Sequence, residues 1–135
     1  MKTEKFSDYF KYDDIIKQET YSSSIVTSIA RSILEPLAKN NTEGIIFVRL
    51  KDIEGTESII KRLEYSRNVT LKIFSDFEFS KFDVEDIGFI VLNTHRYNCA
   101  FIFKKVEDEK YEIYFKMNSK LVSNVYETIK SVFML

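Results

Sequence analysis

Over residues 22–39 the apolar side chains Ile25, Val26, Ile29, Ala30, Ile33, Leu34, Leu37 and Ala38 recur at three- and four-residue steps, which predicts a helix with one buried stripe. Ser22, Ser23 and Ser24 offer hydroxyls to the orphan amides at its start, and Asn40, Asn41 and Gly44 suit its exit. Pro36 has no amide to donate and disfavours a helical Glu35, so a bend or an early end is expected there. Upstream, residues 6–18 carry Phe6, Tyr9, Phe10, Ile15 and Ile16 in a less regular pattern, read as a short helix.

Residues 45–50 form a nearly continuous apolar run after Gly44, the mark of a strand covered on both faces and central in its sheet. A turn over 51–55 leads to Thr56 as a cap. Ile59, Ile60 and Leu63 then predict an amphipathic helix to about residue 66, and 69–74 reads as a second strand. Strand, helix and strand in this space make a βαβ unit with parallel strands. Residues 75–86 hold Asp76, Glu78, Asp83, Glu85 and Asp86 with Phe77, Phe79 and Phe82, without a period, and predict a loop pinned by aromatic side chains. Three further strands, 87–93, 99–106 and 111–117, follow with short connections, which implies an antiparallel meander. In the last strand Tyr111, Ile113, Phe115 and Met117 alternate with Glu112, Tyr114 and Lys116, so one face meets solvent or a partner. Asn118 or Ser119 caps a final helix carrying Leu121, Val122, Val125, Tyr126, Ile129, Val132 and Phe133 on one side.

The expected class is therefore α/β of the mixed α+β kind: a five-stranded mixed sheet with a βαβ unit followed by an antiparallel meander, flanked by N- and C-terminal helices. At 135 residues, 44% of them hydrophobic, the chain suits a single domain over 1–135. No apolar run approaches the ~18 residues that cross a bilayer, and the polar start is not a secretory signal, so a soluble cytoplasmic protein is expected. The apolar segment 131–135 reads as the edge of an excised domain or a docking surface.

Charge and chemistry narrow the function classes. Twenty Lys and Arg against 21 Asp and Glu alternate along the chain, which points to neither nucleic acid nor membrane as a partner. Cys99 and His95 are the sole residues of their types, too few for a disulfide or a zinc set, and three scattered glycines make no phosphate or dinucleotide loop. No catalytic residue, metal site or cofactor is expected. The His95 and Cys99 pair reads as a turn histidine and a core thiol, and the acidic loop lacks calcium-loop spacing. Arg49 interrupts an apolar strand near its carboxyl end, where ligands of open α/β sheets bind; it either anchors a ligand carboxylate, pairs with an internal acid or snorkels from the strand end to solvent. Arg31 raises the same question on the long helix. The 12 Phe and 8 Tyr exceed what one core layer uses, so Tyr97, Phe101, Phe103 and Tyr114 join Arg49 as candidate ligand-binding residues.

The layout resembles the DICT domains, sensory modules of diguanylate cyclases and two-component proteins. The likeness runs through Ser28-Ile29-Ala30-Arg31-Ser32-Ile33-Leu34-Glu35, Ile46-Phe47-Val48, Leu63-Glu64-Tyr65, residues 69–74, Asp86-Ile87-Gly88-Phe89-Ile90-Val91 and Tyr97-Asn98-Cys99-Ala100-Phe101-Ile102. Val48 stands where the family pattern leads one to expect glutamine, and Phe89 where it leads one to expect tryptophan. What the resemblance implies is a non-catalytic sensory or regulatory domain that binds a small ligand or partner and relays a signal to an effector protein or a fused output domain. The alternative is an interaction or oligomerisation subunit, a homodimer formed through the terminal helices.

Overall fold

A computed structural model describes residues 20–40, 42–50, 54–81, 86–94 and 98–134. The helix expected over 6–18 lies outside the described residues. The first helix, α1, spans Ser23–Asn40, and the Ser22 hydroxyl accepts from the Ile25 amide at 3.4 Å. It continues past Pro36, where a bend or an early end was expected. Leu37, one residue beyond the proline, is fully buried, and that burial, on the order of 2 kcal/mol, offsets the one missing backbone bond.

The remaining elements are β1 (Gly44–Arg49), α2 (Glu57–Glu64), β2 (Val69–Ile73), a 3-10 turn at Glu78–Lys81, β3 (Ile87–Thr94), β4 (Asn98–Glu107), β5 (Lys110–Lys116) and α3 (Ser119–Val132). They form a five-stranded mixed sheet in the order β2-β1-β3-β4-β5. The apolar run of β1 does lie inside the sheet, parallel to β2 from Gly44↔Val69 to Val48↔Ile73 and antiparallel to β3 from Gly44↔Thr94 to Arg49↔Phe89. β3, β4 and β5 make the expected antiparallel meander. Asn118 caps α3, its side-chain oxygen accepting from the Lys120 and Leu121 amides at 2.9 and 3.2 Å.

Because strand side chains alternate, the sheet supports two cores. On one face α1 and α2 pack Val26, Ala30, Leu34, Leu37, Ile59 and Leu63 against Ile46, Val48, Ile90, Leu92, Phe101 and Phe103. On the other, α3 packs Val122, Val125, Tyr126 and Ile129 against Phe47, Phe89, Val91, Ile102 and Tyr114. Gly88 lies beneath the Phe103 ring, where a Cβ would stand 2.4 Å from Phe103 Cζ and 2.6 Å from the Arg49 carbonyl oxygen. The aromatic anchoring expected of residues 75–86 comes from Phe79, which is buried among Phe74, Phe89 and Phe133, while Phe77 is exposed and Phe82 lies outside the described residues. Among the described residues no helix is long and apolar enough to cross a membrane.

Candidate functional site

Among the concavities lined by described residues, two border the candidate residues or the exposed end of β5. The first, about 620 Å³, opens at the carboxyl ends of the parallel pair β1 and β2, beside the start of α2, and Arg49, Thr56, Lys61, Ile73 and Asp76 are among its walls. Arg49 is committed here to the protein itself. Its side chain is only 6% exposed; Nη2 donates to Asp76 Oδ1 at 2.8 Å, Nη1 to the Phe74 carbonyl at 3.4 Å and Nε to the Ile87 carbonyl at 3.3 Å. The guanidinium carbon also lies 4.1 Å from the centre of the Phe79 ring. One cation thereby ties the end of β1 to the turn after β2 and the start of β3. The internal-acid alternative for Arg49 is the one this geometry realises, and Asp76, its partner, holds its carboxylate in solvent. Arg31 likewise has a protein partner, Glu35, at 3.1 Å one helical turn away.

The acids of the following turn are engaged as well. Glu78 pairs with Lys72 at 2.9 Å and accepts from the Ser75 amide at 3.1 Å, and the hydrogen bond from Lys72 leads the causes that hold its carboxyl below the usual range. Asp83 and Glu85 lie outside the described residues. Among the described residues no group of three or more His, Cys, Asp and Glu is placed to hold a metal ion.

The second concavity is a groove of about 810 Å³ between α1 and the outer strand β5, walled by Tyr21, Ser28, Ile29, Ser32, Ile33, Cys99, Ile113, Phe115 and Met117. Among the described residues no charged side chain lines it. α1 covers the start of β5, where Tyr111 and Ile113 are buried, but leaves Phe115 40% and Met117 58% exposed at its far end. The alternation in β5 therefore has its open side reversed there: the apolar residues meet solvent, and Tyr114, on the face covered by α3, is buried. At the other end of the groove Tyr21 forms an antiparallel bridge with Tyr111, each amide donating to the other's carbonyl at 2.8 Å. Cys99 is buried at the groove, and desolvation pushes its thiol up to about 12, which leaves almost no thiolate at neutral pH. His95, its suggested partner, lies outside the described residues.

The candidate ligand residues do not converge. Phe101 and Phe103 are fully buried in the α1/α2 core with their rings 5.3 Å apart, Tyr114 and Arg49 point to the opposite face, and Tyr97 lies outside the described residues. Of the four that are described, only Arg49 borders either cavity. An aromatic-lined pocket built from Phe101, Phe103 and Tyr114 is thus corrected to core packing, because a sheet buried on both faces takes up twice the aromatic volume assumed for one covered face. The groove residues Ile29, Ile33 and Ile113 resemble core positions in sequence. Only the run of Phe115 and Met117 past the end of the pattern marked the opening.

No family model matches this chain, and neither a curated protein nor a solved structure matches it.

Proposed function

We propose that this chain is a non-catalytic sensory or regulatory domain whose α1/β5 groove takes an apolar ligand or the apolar segment of a partner. The observation that carries this reading is the groove itself: a concavity of ligand size, uncharged among its described lining residues, opening through exposed Phe115 and Met117. Binding there would be registered by α1, which forms one wall and also packs on α2, and would pass to an effector protein or a fused output domain. The likeness of segments in α1, β1, α2, β2, β3 and β4 to DICT domains supports the same role.

Titration of the full chain with anilinonaphthalene sulfonate, an apolar fluorescent anion, tests the reading. Saturable binding of one probe per chain is expected, lost in Met117→Glu and in Phe115→Glu while the circular dichroism of the fold is kept. Absence of saturable binding, or equal binding by both variants, would overturn it. If the groove instead joins two copies, light scattering will report a mass that rises with concentration and falls back to the monomer in Met117→Glu.

A further inference from the structure

The cavity at the carboxyl ends of β1 and β2 holds hydrogen-bond donors that the fold does not use. We propose that it binds a small carboxylate with an apolar body, at a site separate from the α1/β5 groove and independent of it.

Topology places the donors. α2 carries the chain from β1 back to the start of its parallel neighbour β2, so the amino end of α2 lies at the carboxyl ends of both strands, where the cavity opens. The first amides of a helix have no acceptor within it and form the positive end of its dipole. In α2 the first backbone bond runs from the Ile60 amide to the Thr56 carbonyl, and the Thr56 side chain caps none of the amides of Glu57, Ser58 and Ile59 before it. The φ and ψ of Thr56, -111° and -4°, lie outside the extended values from which a capping hydroxyl folds back. Three amides therefore stay open among the described residues.

The Thr56 hydroxyl is an independent observation. Thr56 is only 3% exposed and lines the cavity, yet its side chain makes no hydrogen bond. Among the described residues no side-chain oxygen is both fully sealed and without a partner, so the small exposure of Thr56 includes its hydroxyl, and the cavity is what that hydroxyl meets. A valine of the same shape would fill this position without the cost of desolvating an unbonded hydroxyl. An acceptor seated against the hydroxyl and the first turn of α2 uses all of these donors at once.

Charge and shape select the acceptor. Lys61, one turn along α2, stands in the cavity wall, while Arg49 and Asp76 neutralise each other there. Lys61 and the helix dipole favour an anion, but Glu57 and Glu64 line the same space and disfavour a dianion such as phosphate. A carboxylate brings one charge and two acceptor oxygens. Half-buried Ile60 and Ile73, 46% exposed, offer apolar contact to the rest of the ligand.

Titration of the full, nitrogen-labelled chain with isovalerate, a branched apolar carboxylate, followed by amide NMR, tests the site. Saturable shifts of the Glu57 and Ser58 amides are expected, with a Kd on the order of millimolar for so small a ligand. Affinity should fall about tenfold in Thr56→Val, which removes one hydrogen bond to a charged group, and about threefold in Lys61→Gln. Isovaleramide, the uncharged counterpart, should bind the unaltered chain about tenfold more weakly than isovalerate. Val106→Glu, at an exposed position that lines neither cavity, should leave the titration unchanged. Thr56→Val breaks no hydrogen bond of the fold and should melt at or above the temperature of the unaltered chain. Absence of saturable shifts at these amides, equal affinity in Thr56→Val, or equal affinity for isovaleramide would each overturn the proposal, as would inorganic phosphate binding more tightly than isovalerate. The comparisons among isovalerate, isovaleramide and phosphate use the unaltered chain, so they decide the matter even where a variant unfolds.

Discussion

Arg49→Met removes a cation while keeping much of the side chain's length and apolar volume, and so asks whether Arg49 serves the fold. Four contacts are lost: the hydrogen bonds to the Ile87 and Phe74 carbonyls, both long at 3.3 and 3.4 Å, the Asp76 pair, and the stacking on Phe79. The two carbonyl bonds contribute about 0.5–1 kcal/mol each, at the low end for their length. The ion pair contributes about 1 kcal/mol or less, because the Asp76 side chain is 86% exposed and solvent screens it, and the cation–π contact about 0.5–1 kcal/mol. Against this sum, replacing a desolvated guanidinium by an apolar side chain returns about 1–2 kcal/mol. The expected net loss is about 1–2 kcal/mol, seen in urea denaturation at unchanged m-value and as a fall of about 5 °C in melting temperature. Asp76→Asn should cost about 1 kcal/mol at low salt and less at 1 M salt. Combined with Arg49→Met it should add nothing further, since its partner is already gone. Arg49→Met within about 0.5 kcal/mol of the unaltered protein would refute the clasp, and an additive double variant would refute its pairing with Asp76.

Gly88→Ala drives a methyl group into both the Phe103 ring and the Arg49 carbonyl, and a loss of about 2–3 kcal/mol by urea denaturation is expected, partly recovered by Phe103→Leu. Asn118→Ala removes the acceptor for two amides at the start of α3 and should cost about 1 kcal/mol by the same measurement. Glu78 has a folded-state pKa below its unfolded value, so its ionised form stabilises the fold above the unfolded value, and that contribution is lost as pH falls through the lowered one. Melting profiles of Glu78→Gln should accordingly lie below those of the unaltered chain at neutral pH and converge with them in acid, with a smaller gap at high salt because the Lys72 pair is partly exposed.

Elements with a strong period were legible in the sequence: the stripe of α1, the run of β1, the alternation of β5 and the cap of α3 all fall within a residue or two of the expected bounds. Their spatial order was legible only between neighbours in the chain. The pairing of β1 with β3 joins strands separated by α2 and β2, and no local signal specifies it. Arg49 stood out as a charge in an apolar run, but its partner lies 27 residues on, among several acids that the composition alone does not distinguish. The aromatic surplus was counted correctly and assigned wrongly, since alternation tells which residues share a face and says nothing about whether a helix covers that face.

That last point also locates the groove. Five strands spaced by about 4.8 Å make a sheet some 20 Å across, and two helices of about 10 Å diameter can cover it only if each is centred on its own half. α2 packs on the edge strand β2, while α1 packs on α2 and meets β5. At the far end of β5 Phe115 is 40% exposed, and its ring lies 5.9 Å from that of Phe101. On the α3 face the aromatic series closes instead, with Phe133 packed on Phe74 and Phe79. A larger residue at Ser28 or Ser32 would reach into the groove. The opening follows from the placement of whole elements: α1 covers the start of β5 and leaves Phe115 and Met117 exposed beyond it.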